Sequence, residues 1–286
     1  TGHAEAGIAL TEKGMQTDTV TEDARWRTHE ELPLTRDSFD ALCRFEIPCI
    51  RIREFATDAE CDDLVAAMDA VGLHKTYNVP GLEQPPKYVG LTQFEKRKTS
   101  KEEYFAEVEQ AWAEHDAVLS HMSWNPFERI WGLIRDLYPE STLALAEEPG
   151  YGRYYAGIIR ETSGGGTLHA DVTMYSARDY LIGNVSHQIT WNFFASHVEG
   201  EGGKTTVHNR PYRVQTAPGS KVEIEGFDRS YVEGAETHVY APAKGDVILF
   251  NSHNPHEWTA VQDGQRRMGV STYIGRMPDG NFIYWS

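Results

Sequence analysis

The chain has 286 residues, 40% of them hydrophobic and 24% charged, an ordinary globular composition at a length that one β-rich domain can fill. Lys and Arg number 27 against 43 Asp and Glu, and the resulting formal net charge of −16 repels nucleic acid and anionic membrane surfaces. With no apolar run near the ~18 residues of a membrane helix and no basic-then-apolar leader, the expectation is a cytoplasmic protein with neither nucleic-acid nor membrane partner.

Residues 1–14, TGHAEAGIALTEKG, precede the first methionine, Met15, and read as a tag remnant, which leaves 15–286 as a single domain. Cys43, Cys49 and Cys61 are odd in number and match no zinc spacing, so they are expected to be free, buried and apolar in a reducing compartment. IPCIRIR, residues 47–53, reads as a short strand. In TDAECDDLVAAMDAVG a capping residue and first-turn acids precede Leu64, Val65, Met68 and Val71 at helical spacing, and Gly72 stops the run.

Residues 73–100 are rich in Gly, Pro and Lys and read as a long functional loop. Two further helical stripes follow over 101–121 and 125–138, carried by Phe105, Val108 and Trp112, then by Phe127, Ile130, Trp131, Ile134 and Leu137. Together these helices form a layer at about 54–140 that packs on a sheet. After Gly150 short runs rich in Val, Ile, Thr, Tyr and Phe alternate with turn residues, as in RYYAGIIRE, HQITWNFFASHV, DVILFN and RMGVSTYIG. The fold class expected is mainly β with α: a double-stranded β-helix, or jelly roll, over about 150–286 on an N-terminal helical layer. The aromatic run Trp191, Phe193 and Phe194 is assigned to the core rather than to a substrate wall.

The chemistry concentrates in ETSGGGTLHADVTMY, residues 161–175. His169 and Asp171 are two apart in a strand-like run, so their side chains point to one face and can converge on one metal ion. Gly164–Gly166 let the backbone turn tightly into that strand. A third ligand comes from elsewhere, and the loop after DVILFN offers His253 and His256, with Arg266 ten residues beyond the second. Two imidazoles and a carboxylate on one face of an ion leave positions open for a bidentate cofactor and O2, which suits Fe(II).

H-x-D, a distant His and an Arg ten residues on resemble the Fe(II)/2-oxoglutarate-dependent oxygenases. GEGGKTTV, residues 200–207, is similar to that family's GGxT hairpin, and GDVILF matches the strand before its second His. The resemblance implies that His169, Asp171 and His256 hold Fe(II) and that Arg266 pairs with the distal carboxylate of 2-oxoglutarate. It favours His256 over His253 as ligand and Arg266 over Arg267, which becomes a surface ion-pair residue; only one of two strand neighbours can enter the pocket.

The C-terminal RRMGVSTYIGRMPDGNFIYWS resembles a smaller group, the indole-alkaloid halogenases and the hydroxylases of N-substituted amino acids such as N-succinyl amino acids. The halogenases lack the carboxylate that Asp171 supplies, so the resemblance implies hydroxylation at an aliphatic carbon, the β-carbon of a small N-substituted L-amino acid, with release of succinate and CO2. A tailoring oxygenase acting on an alkaloid or a carrier-bound amino acid is the alternative within the class. A jelly-roll metal isomerase and a non-catalytic binding module are the alternatives outside it. Arg97 in the long loop and Arg178 after the H-x-D strand are the candidates for an anionic substrate. His187, His197 and His208 are read as ordinary hydrogen-bonded histidines, and homodimerisation is left open.

Overall fold

A computed structural model describes residues 26–72, 75–77, 84–212 and 228–286. The proposed tag remnant at 1–14 and residues 73–74 and 78–83 of the long loop lie outside the described residues.

Four helices precede the jelly roll: α1 Arg36–Cys43, α2 Asp58–Val71, α3 Lys101–Leu119 and α4 Pro126–Leu137. Each starts where a side chain satisfies free N–H groups. Capping boxes formed by Thr35 with Ser38, Thr57 with Glu60 and Ser100 with Glu103 open the first three. Asn125 accepts from the N–H groups of Phe127 and Glu128 at α4, where Pro126 occupies the first turn without wasting a donor. Helix α1 is the addition to the expected layer; its eight residues are too few for a periodic signal to stand out.

Eight strands build the core: β1 Ile158–Glu161, β2 Gly166–His169, β3 His187–Phe194, β4 Thr205–His208, β5 Thr237–Tyr240, β6 Val247–Asn251, β7 His256–Trp258 and β8 Met268–Arg276. They form two antiparallel sheets, β6–β3–β8–β1 and β5–β4–β7–β2, which is the expected jelly-roll arrangement. The first sheet is widened by Ile50–Ile52 beside β6, by Lys87–Val89 beside β1, and by Phe282–Trp285 along the second half of β8.

The two faces of the first sheet differ in chemistry. In β3, HQITWNFF, Ile189, Trp191 and Phe193 point to one side and join Leu64 of α2 and Phe127 and Ile130 of α4 in the main core. Full burial of a side chain such as Phe193 contributes roughly 2 kcal/mol by apolar area alone. Gln188 and Thr190 point to the other side and line a cavity between the sheets. At the far end of the sandwich Phe194, Val207, Tyr240, Ile248 and Phe250 close the space with a second apolar cluster. All three cysteines are buried thiols, and desolvation pushes Cys43 up to about 12 and Cys61 to about 11, which leaves them inert. Among the described residues no helix is long and apolar enough to cross a membrane.

Candidate metal centre and its cavity

His169 ends β2 and His256 begins β7, and the ladder between these strands sets them directly opposite one another. Their ring centroids are 4.2 Å apart. Beyond the end of β2, Asp171 is pinned by its N–H donating to the Ser252 carbonyl at 2.9 Å while the Ser252 hydroxyl donates to the Asp171 carbonyl at 2.9 Å. Asp171 Oδ2 then lies 3.5 Å from His256 Nε2 and 4.0 Å from His169 Nε2. The three donor atoms all fall within 4.8 Å of one another.

The outer partners of this triad fix which nitrogen faces inward. His169 Nδ1 sits 2.7 Å from the Thr167 carbonyl and His256 Nδ1 3.0 Å from the Asn254 carbonyl. A carbonyl only accepts, so each Nδ1 carries the proton and each Nε2 presents a lone pair to the shared centre. That second contact is the usual device that orients a metal-ligating imidazole. Burial pushes His169 down to about 4, with the His256 ring adding to the effect and the Asp171 charge opposing it. Burial works against ionisation of Asp171, but the adjoining His256 and His169 rings and a hydrogen bond from Tyr273 outweigh it and hold the carboxyl well below its ordinary range. Two imidazoles and one carboxylate, pre-aimed and open on one side, fit a six-coordinate divalent metal with three positions left over.

The open side faces a cavity of about 520 Å³, the size of a small-molecule site. Its wall combines the inner face of the first sheet, with Arg160, Gln188, Thr190, Ser271 and Tyr273, and the turn after Lys87–Val89, with Phe94, Glu95 and Arg97. His253, the competing ligand, is buried against Phe45 with ring centroids 6.0 Å apart and is not part of the triad.

The two adjacent arginines are placed the opposite way round from the expectation. Arg266 points out, donating through Nε to Glu161 at 2.8 Å and through both terminal nitrogens to Asp69 of α2, with its side chain 40% exposed. Arg267 points in and is 8% exposed. Its guanidinium lies 5.1 Å over the Phe194 ring, donates to Thr205 Oγ1 at 3.3 Å, and leaves Nε without a partner among the described residues. Thr205 is the threonine of the GGxT hairpin. Burial, with the like charge of Arg160 behind it, pushes Arg267 down to about 10. Counting ten residues from His256 selects Arg266, but the chain enters β8 with Met268 and Val270 toward the helices, so the odd-numbered residues face the cavity side.

Arg97 lies in the cavity wall as expected, stacked 3.7 Å over Phe94 and donating to the Phe94 carbonyl at 2.7 Å. Arg178 does not line the cavity. The short helical turn Thr173–Ser176 carries it outward, where it is exposed beside the Tyr175 ring. His208 is buried against Glu257 at 3.2 Å, and His197 is exposed, in keeping with ordinary roles. The residues that sequence reading missed are Arg160 and Tyr273. Their signal was the period-two polarity of the first sheet, whose apolar residues face the helices and whose polar residues face the cavity.

No protein-family model matches the chain. It is 29% identical over 196 residues to leucinostatins biosynthesis cluster protein S of Purpureocillium lilacinum, covering 66% of this chain and 79% of that one. It is also 29% identical over 133 residues to L-gamma-glutamyl-L-propargylglycine hydroxylase of Streptantibioticus cattleyicolor, a match spanning 46% of this chain and 48% of the relative's length. The fold is similar to that of an N-substituted L-amino acid dioxygenase from Burkholderia ambifaria, with a TM-score of 0.54 at 17% identity over 88% of this chain and 91% of that one. It is likewise similar to a non-heme alpha ketoglutarate dependent carbocyclase from nogalamycin biosynthesis, with a TM-score of 0.51 at 17% identity over 89% and 99% of the two chains. The jelly roll expected from the sequence is therefore the fold that these two enzymes have.

Proposed function

We propose that this chain is an Fe(II)- and 2-oxoglutarate-dependent dioxygenase that hydroxylates an aliphatic C–H, the β-carbon, of a small N-substituted L-amino acid such as an N-succinyl or other N-acyl amino acid. The observation that carries the reading is the triad of His169, Asp171 and His256, oriented by its backbone partners and open toward a cavity of about 520 Å³. Bound Fe(II) would supply the activation of O2 with oxidative decarboxylation of 2-oxoglutarate to succinate and CO2; the protein supplies position, charge and exclusion of water. His169 and His256 hold the metal as neutral donors and Asp171 as an ionised one.

Arg267 takes the place proposed for Arg266. A buried, planar cation with a free Nε and a neighbouring Thr205 hydroxyl fits the distal carboxylate of a 2-oxo diacid, which it can hold with parallel hydrogen bonds. The substrate class draws on the relatives. One is a hydroxylase named for a γ-glutamyl amino acid and another a dioxygenase of N-substituted L-amino acids, both amino acids acylated or otherwise substituted on nitrogen. Retention of Asp171 favours hydroxylation over halogenation, since its carboxylate takes the position a halide would need.

The test is addition of Fe(II) and then 2-oxoglutarate to the metal-free protein without oxygen. A visible charge-transfer band that requires both additions is expected. Succinate release on admission of O2 then scores N-succinyl, γ-glutamyl and N-acetyl amino acids as substrates. Absence of the band at saturating additions would return the isomerase and binding-module readings to the front.

A further inference from the structure

Arg160 stands on β1, on the cavity side of the first sheet, and faces Gly269 of β8 in register. Because that facing residue has no side chain, the guanidinium can reach across β8 and donate to Asn192 Oδ1 of β3 at 2.8 Å. Its other partner is the hydroxyl of Tyr77. Both are neutral. Among the described residues no carboxylate pairs with Arg160, although Arg51, Arg129, Arg153, Arg229, Arg266 and others all hold one. An incompletely compensated cation inside a cavity is costly unless a ligand completes it.

The charges around the centre say which ligand. A divalent metal, the Asp171 carboxylate, the 2-oxoglutarate dianion and the Arg267 guanidinium sum to zero. Of the other charged groups in the cavity wall, Arg97, Lys98 and Arg160 outnumber Glu95, so the surplus is positive, and Arg160 is the one of these cations that stands on the first sheet. The two arginines also border different spaces: Arg267 lines a small void with Phe194 and Met268, whereas Arg160 borders both that void and the main cavity. Tyr77, which holds Arg160 from the side away from β8, lines the main cavity as well. A second anion, entering the main cavity once 2-oxoglutarate is held at Arg267, meets Arg160.

We propose that Arg160 is the receptor for a carboxylate of the organic substrate, so that the cavity selects an acid whose carboxylate lies on the first sheet while its aliphatic carbon lies toward the triad. The inference rests on the oxygenase reading and narrows it: the free α-carboxylate of an N-substituted amino acid is the group recognised, and its ester or amide is refused. Tyr77 and Asn192 are positioning residues that hold the guanidinium flat to the cavity.

The test uses the full chain loaded with Fe(II) and 2-oxoglutarate without oxygen, and follows perturbation of the visible band by paired probes. These are a series of N-acetyl-L-amino acids and the corresponding N-acetyl-L-amino acid amides. Wild type is expected to bind at least one acid about tenfold or more tightly than its amide, the scale of a charge-assisted pair. Arg160→Gln should erase that preference while leaving the 2-oxoglutarate midpoint within about threefold, and Arg160→Lys should keep part of it. Melting temperatures of both variants exclude a folding defect as the cause. A 2-oxoglutarate midpoint that rises tenfold in Arg160→Gln with the acid preference intact would assign Arg160 to the co-substrate and overturn the proposal. So would a wild type that distinguishes no acid from its amide. Either result leaves the oxygenase reading standing; loss of the wild-type band removes both.

Discussion

His169 and His256 face each other across the β2–β7 ladder, each with Nδ1 against a backbone carbonyl two residues earlier in its own chain segment. The sheet thus holds both imidazoles in one tautomer before any metal arrives. Replacing His256 by Ala should reduce Fe(II) affinity at least 100-fold and abolish the band formed with 2-oxoglutarate, while the metal-free protein keeps its β-rich circular dichroism. An anaerobic iron titration checks this, and unchanged affinity would remove His256 from the ligand set.

Arg266 and Arg267 make a matched pair of opposite expectations. Arg267→Leu should raise the 2-oxoglutarate midpoint by ten- to a hundredfold, the loss of a charge-assisted, buried contact. Arg266→Leu loses only a part-exposed pairing with Asp69 and Glu161, with a stability cost of about 1 kcal/mol or less and an unchanged midpoint. The reverse pattern would restore Arg266 to the co-substrate.

Gly269 of β8 lies against the backbone of β3, opposite Phe194. A Cβ there would come within 1.9 Å of the Phe193 carbonyl oxygen, a backbone atom that cannot step aside without parting β3 from β8. Gly269→Ala should therefore lower stability by about 2–4 kcal/mol, in the range of overpacking with backbone shift, and should weaken Arg160's reach to Asn192. Chemical denaturation measures the first effect; a change within 0.5 kcal/mol would mean the strands separate freely.

His115 of α3 is 2% exposed, and burial lowers it to about 4 against a hydrogen bond to the Gly157 carbonyl and the charge of Asp116. A depressed histidine means the folded chain takes up its proton later than the unfolded chain. The stability it permits is whole above the ordinary value of 6.5 and is lost as pH falls from there toward 4. That shift is worth roughly 3 kcal/mol across the window. Melting temperature should fall over this interval in metal-free protein, and His115→Gln should flatten the slope in part, since buried His253 is lowered to about 4 in the same way. An equal slope in the variant would rule His115 out as a source.

The sequence alone carried the chemistry that depends on short spacing. His169 and Asp171 two apart, Thr57 before an acidic first turn, and the alternating runs after Gly150 all rest on local periodicity, and each holds in the structure as H-x-D geometry, as α2 and as strands. It also preferred His256 to His253, and the structure sets His256 opposite His169 while His253 lies outside the triad.

Tertiary structure decided what depends on which way a strand is turned. The choice between Arg266 and Arg267 is one residue of register, and a one-residue slip exchanges the faces of a strand completely. Only the packing of Met268 and Val270 under the helices shows which of the two faces inward. Arg178 was lost to the cavity by a four-residue helical turn too short to read in advance. Arg160 gained its place because Gly269 lies across from it, a contact between residues more than a hundred positions apart that no local pattern encodes.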